Sequence, residues 1–172
     1  DIVVVGDGPA GSVVIEFAAD GPTVSSMLGG AMPYGIALEG STAHVSNLTV
    51  MGPSTGMGVW VTGGDPILEG LSVVLDGEFG SLPPVAFEFV GGTTATLREA
   101  TAFCCLAIGG AASPTIERFV MDGGGFIRGA GTDPLIRDSR FGSALDISGG
   151  AEPTIERNEL LGLLIMGSAP VI

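Results

Sequence analysis

The chain has 172 residues, enough for one domain with a substantial core, and its 19 acidic residues against 6 arginines and no lysine give a formal net charge of −13. A surface this acidic repels nucleic-acid backbones and anionic membranes, and no apolar run approaches the roughly 20 residues that span a bilayer. Neither nucleic acid nor membrane insertion is therefore expected.

With no initiator Met and no basic, apolar leader, Asp1 is expected to follow a removed segment or an artificial boundary. The opening DIVVVGDGPAGS (1–12) fills a G-x-G-x-x-G pattern with Gly6, Gly8 and Gly11 after a β-branched run. A dinucleotide fold then needs a helix and a second strand ending in an acid about 20 residues on. Here the helix slot reads SVVIEFAAD, rich in β-branched residues, and Gly21-Pro22 closes it early. TVSSMLGG, which follows, carries no acid at its tip. The opening reads instead as a strand, IVVVG (2–6), which fits the glycine-closed pattern of the later rungs, and a turn.

From residue 36 one pattern recurs: apolar, any, apolar, any, glycine. It appears as IALEG (36–40), VWVTG (59–63), FEFVG (87–91), CLAIG (105–109), GFIRG (125–129), LDISG (145–149) and LLIMG (163–167). A closing glycine about every 20 residues is the signature of a solenoid. Each unit has a second segment whose inward positions are Val45, Leu68, Leu97, Ile116, Ile136 and Ile155. Three residues later come Leu48, Leu71, Ala100, Phe119, Ser139 and Asn158, and two further on Val50, Val73, Ala102, Met121, Phe141 and Leu160. A step of three followed by a step of two describes two short strands joined by a bend, not a helix. Pro66, Pro114, Pro134 and Pro153 stand before these segments, where a turn loses nothing from a missing N–H. Residues 1–172 thus form one domain, with 1–35 a degenerate N-terminal rung or cap and 36–172 the regular rungs.

The repeat phrases GGAASPTIERF and GGAEPTIERN resemble those of right-handed parallel β-helix proteins, the pectate-lyase-like superfamily. The resemblance runs over nearly the whole chain and implies an all-β, right-handed, single-stranded parallel β-helix of about seven rungs. It also implies an extracellular or cell-envelope setting and a polysaccharide as ligand. Enzymes of that superfamily typically use acidic calcium ligands with a free Arg or Lys base, or clustered aspartates. None of those motifs transfers to this chain residue by residue.

Stacking rungs about 4.8 Å apart brings like positions together. One outward column then reads Glu69, Arg98, Glu117, Arg137, Glu156, and the next reads Glu99, Arg118, Asp138, Arg157. Both alternate in sign, as does Arg140 over Glu159, so five of the six arginines are expected in register-fixing ladders. Arg128 is expected diagonal to Asp146. His44 is read as a surface residue, Asp133 and Glu152 as turn residues, and Ser139 and Asn158 as groups that satisfy backbone at the bend. Cys104 and Cys105 are adjacent and face opposite sides of a strand, so they are not expected to bond to each other.

The outer side of the glycine-closed sheet is expected to present Trp60, Val90, Leu106, Ile108, Phe126, Leu164 and Met166 with Glu39, Glu88, Arg128 and Asp146. That much apolar surface calls for a cover, either a segment of the chain itself or a partner. Two enlarged turns, 52–58 and 76–84, are expected to wall a shallow groove beside Trp60 and Glu88. The candidate ligand residues are accordingly Trp60, Glu88, Glu39, Arg128 and Asp146; no catalytic residue is assigned, and no cofactor or metal is expected. The leading functional reading is a structural or interaction solenoid that self-associates through its apolar outer sheet. The alternatives are a carbohydrate-binding module and a polysaccharide lyase or hydrolase. The final APVI (169–172) matches the start of another rung, which suggests an open edge and a homo-oligomer or a longer helix.

Overall fold

The computed structural model describes residues 13–76 and 83–172, together with the backbone of Val3–Val5. The described residues contain strands and turns and no helix. In coil order, the first coil holds β1 (Val3–Val5), β2 (Val14–Glu16), β3 (Thr23–Ser25) and β4 (Ala31–Ser41). The second holds β5 (His44–Ser46), β6 (Thr49–Pro53) and β7 (Met57–Gly64), and the third β8 (Ile67–Glu69), β9 (Ser72–Asp76) and β10 (Val85–Val90). The fourth comprises β11 (Thr96–Arg98), β12 (Thr101–Ala102) and β13 (Cys105–Ile108), and the fifth β14 (Thr115–Glu117), β15 (Val120–Met121) and β16 (Gly125–Arg128). Last come β17 (Leu135–Arg137) with β18 (Arg140–Ser148), then β19 (Thr154–Glu156) with β20 (Glu159–Met166). Val171 pairs with Thr154 beyond them.

Like strands stack in parallel into a β-solenoid of about six turns. The first face is a seven-stranded sheet, β1-β5-β8-β11-β14-β17-β19. The second and third faces form one sheet because β18 and β20 are long enough to serve both. The expected inward column Val45, Leu68, Leu97, Ile116, Ile136, Ile155 is in register throughout. Each of these residues is at most 4% exposed. Phe119 lies across the axis, edge-on to Phe87 (ring centroids 5.6 Å apart) and to Phe141 (6.0 Å). Such pairs add about 0.5–1.5 kcal/mol to the burial of their area.

The bend between the first two faces has one backbone cause. Asn47, Gly70, Glu99, Arg118, Asp138 and Arg157 hold the same place in successive coils, and each has φ between 49° and 62°. A left-handed residue turns the chain sharply and points its side chain outward, which produces the step of three. For a residue with a Cβ this conformation costs about 1–2 kcal/mol. It is held from the next coil: the N–H of Asn47 donates to the Glu69 carbonyl (2.9 Å), that of Glu99 to Glu117 (3.1 Å) and that of Asp138 to Glu156 (3.1 Å). Ser139 and Asn158 serve the backbone beside it, as expected. The Ser139 N–H donates to Asn158 Oδ1 (2.8 Å), Asn158 Nδ2 to the Ile136 carbonyl (2.8 Å), and the Phe119 N–H to Ser139 Oγ (3.1 Å).

Two expectations are corrected. Val3–Val5 pairs with His44–Ser46, so the opening strand belongs to the first face and not to the glycine-closed third face. The helix slot of a dinucleotide fold is occupied in part by strand β2; Gly6, Gly8 and Gly11 lie outside the described residues. Second, Leu106 and Ile108 turn into the core, with no exposed surface, and Ala107 takes the outward place. The reason is a bulge: Val85 pairs with Cys105 and Phe87 with Leu106, so the fourth coil is one residue shorter. Its closing glycine is Gly110 (φ 60°), in line with Gly91 and Gly129, and not Gly109. A one-residue slip exchanges every side chain between the faces of a strand.

Candidate functional site

The outward side of the third face carries two columns. One runs Ala37, Trp60, Glu88, Ala107, Phe126, Asp146, Leu164; the other runs Glu39, Thr62, Val90, then Arg128, Ser148, Met166. Gly109 follows inward-facing Ile108 and lies between Val90 and Arg128. Trp60 and Glu88 are therefore direct neighbours, and Glu39 stands one coil above in the adjacent column. Arg128 and Asp146 belong to a separate pair below Ala107. The five candidate residues thus fall into two groups.

Glu88 and part of Trp60 are covered by the chain itself, whereas Glu39 stays exposed. After β2 the chain leaves the solenoid, and β3 returns antiparallel on β4, pairing Thr23 with Pro33, Val24 with Met32 and Ser25 with Ala31. The connecting turn, 26–30, folds over the outer sheet. Met27, Leu28, Val24, Tyr34 and Trp60 pack there against Met32, Met57, Val85 and Ala107, a second apolar cluster outside the solenoid core. Gly109 makes room for it, since a Cβ at that position would stand 2.6 Å from Met27 Cε.

Glu88 is fully buried beneath this turn. Ser26 Oγ donates to its Oε2 (2.6 Å) and the Met27 N–H to its Oε1 (3.0 Å), while the Leu28 N–H donates to Ser26 Oγ (3.1 Å). Desolvation pushes the Glu88 carboxyl above its ordinary value, and the bonds from Ser26 and Met27 and the nearby Trp60 indole oppose that rise. The indole N–H is close enough to act on the carboxylate, yet Nε1 completes no hydrogen bond of its own. Ser26, Met27 and Leu28 escaped sequence reasoning, which allowed only for an unspecified covering segment. The glycine pair in SSMLGG was the available sign of a hairpin.

Among the described residues no turn covers the lower group. Arg128 Nη2 meets Asp146 Oδ2 at 3.2 Å, on the diagonal expected, and its guanidinium carbon lies 4.7 Å from the centre of the Phe126 ring. Asp146 Oδ1 is buried without a hydrogen-bond donor. Leu164 (49%) and Met166 (51%) are open beside them.

The remaining candidates are structural. Arg98 Nη2 reaches Glu69 Oε2 (3.0 Å), Arg118 Nη2 reaches Glu99 Oε1 (3.1 Å), Arg140 Nε reaches Glu159 Oε1 (3.6 Å), and Arg137 pairs with Glu117. Arg118 Nη1 turns to Glu117 Oε2 (3.4 Å); of its two expected column neighbours it pairs with Glu99, while Asp138 pairs with Arg157. The Arg98 hydrogen bond, ahead of its charge and of a weaker contribution from His44, holds the Glu69 carboxyl below its usual range. His44 Nε2 lies 3.4 Å from Glu69 Oε2 without hydrogen-bond geometry. Of the enlarged turns, 52–58 is filled by Phe17, whose ring would meet a Cβ at Gly52 or Gly56; residues 77–82 of the other lie outside the described residues. Among the described residues no cluster of three or more His, Cys, Asp or Glu could hold a metal ion. No protein family, curated protein or solved structure matches the chain.

Proposed function

We propose that this chain is a structural or interaction β-solenoid that associates with a second copy through the bare part of its outer third face. The observation that carries this reading is the patch of Phe126, Leu164 and Met166 around the Arg128–Asp146 pair. The patch is apolar and locally neutral in a chain of net charge −13, which suits the approach of two copies that otherwise repel. Right-handed coiling and kinship with the pectate-lyase-like superfamily belong to the same proposal. A carbohydrate platform on Trp60 and Glu88 is less favoured, because both Glu88 oxygens are committed to Ser26 and Met27.

Sedimentation of the wild type and of Leu164→Glu tests the reading. A concentration-dependent oligomer that dissociates on substitution is expected, and a strict monomer at high concentration overturns it. A saturable change in Trp60 fluorescence with neutral oligosaccharides, retained in Leu164→Glu, would favour the carbohydrate module.

A further inference from the structure

The covered and bare halves of the third face are one continuous surface, since Trp60, Glu88, Ala107, Phe126, Asp146 and Leu164 stack in a single column. What divides them is the turn 26–30, and its attachment is unlike that of the rest of the molecule. The coils hold one another by parallel ladders, whereas this hairpin has three antiparallel pairs. Its tip is anchored at one polar point, Glu88, by Ser26 Oγ and the Met27 N–H. Gly29 (φ 103°) and Gly30 (φ 82°) close the turn on one side, and on the other a turn with Ala18, Ala19 and Asp20 exposed precedes Pro22.

A carboxylate is a poor choice for gluing a turn to an apolar sheet permanently. Among the described residues no cation pairs with Glu88, so the cost of its desolvation is offset only by the hydrogen bonds from Ser26 and Met27. A Val or Leu there would bind Met27 and Leu28 without that cost. An acid makes the attachment conditional: its two hydrogen bonds count while the turn is down, and water replaces them when it lifts.

We propose that the turn 26–30, at the end of β3, which stays paired with β4, is a detachable strap, latched on Glu88, that masks the Trp60–Ala107 half of the docking face and, when released, extends the face offered to a second copy of this chain. This rests on the association reading above. Release exposes Met57, Val85, Ala107 and Trp60 in line with Phe126 and Leu164, so one apolar surface spans the third face.

Two substitutions loosen the strap by independent means. Ser26→Ala removes a latch donor, and Gly109→Leu fills the space that the end of the Met27 side chain occupies. Glu88→Gln is the conservative partner, since an amide still accepts from Met27 and can donate to Ser26. The single tryptophan reports directly. At a concentration low enough to keep the chain monomeric, acrylamide quenching of Trp60 is expected to rise in both loosened variants, with circular dichroism of the β-fold retained, and to stay at the wild-type level in Glu88→Gln. Sedimentation at matched concentration is expected to show a larger mass for both. Unchanged quenching in both variants overturns detachment; raised quenching with unchanged mass overturns masking. Leu164→Glu, run alongside, separates the two proposals: if it too leaves the mass unchanged, association fails, and the quenching result alone decides whether the strap detaches.

Discussion

Arg157 grips Asp138 with two parallel hydrogen bonds, Nε to Oδ1 at 2.7 Å and Nη2 to Oδ2 at 2.8 Å, from the left-handed position one coil further on. The Arg157 hydrogen bond, foremost among its causes, holds the Asp138 carboxyl below its usual range, and Asp138 in turn raises Arg157. Both groups lie in water, so the pair fixes register more than it adds stability. Arg157→Asp should lower the melting midpoint slightly, and the swap Asp138→Arg with Arg157→Asp should restore it. High salt should erase most of the difference. A double variant no better than the single one would show that the pair sets nothing.

Arg118 sits among Glu99 and Glu117. Arg118→Glu places like charges on neighbouring coils and should cost about 1 kcal/mol, discounted for exposure. Arg140→Glu, beside Glu159 alone, should cost less. Denaturant melts of the two variants compare them directly, and no loss in Arg118→Glu would contradict the ladder.

Phe119 is fully buried between Phe87 and Phe141, so Phe119→Ala should destabilise by about 3–5 kcal/mol. Phe103, 56% exposed on the second face, should tolerate alanine within about 0.5 kcal/mol. Similar losses at both positions in a thermal melt would place the core wrongly.

For Glu88 the folded carboxyl titrates above its ordinary 4.5. Between that value and the folded one, the folded state binds more protons than the unfolded state. Stability from this group is therefore complete below 4.5 and declines as pH rises through the folded value. Glu88→Gln should abolish that decline and leave the protein at least as stable at neutral pH. Melts of both proteins from acid to neutral pH would show parallel curves if Glu88 did not titrate there.

Burial pushes the Cys104 thiol up to about 12, with the adjacent Cys105 adding to it, and burial raises Cys105 as well. Both cysteines are free. Alkylation at neutral pH should be slow for each until the chain unfolds. Rapid labelling of Cys104 in the native state would mean that the fourth coil opens.

Periodicity by itself determined the solenoid, its inward column from Val45 to Ile155 and the charge ladders, because stacked coils repeat one local pattern and an error in one rung is exposed by the next. Tertiary structure alone decided the cases in which that repetition breaks. The bulge opposite Cys105 is invisible to a pattern that tolerates any residue between apolar ones, so Leu106 and Ile108 were read on the wrong face. The left-handed bend has little compositional mark, since five of its six positions carry Asn, Glu, Arg or Asp, and interactions with the next coil hold them there. Glu88 lies in an ordinary strand pattern, and its burial depends on Ser26 and Met27, more than 60 residues away along the chain. Which half of the outer face is open was therefore settled by a non-repeating hairpin, whose contacts no local spacing encodes.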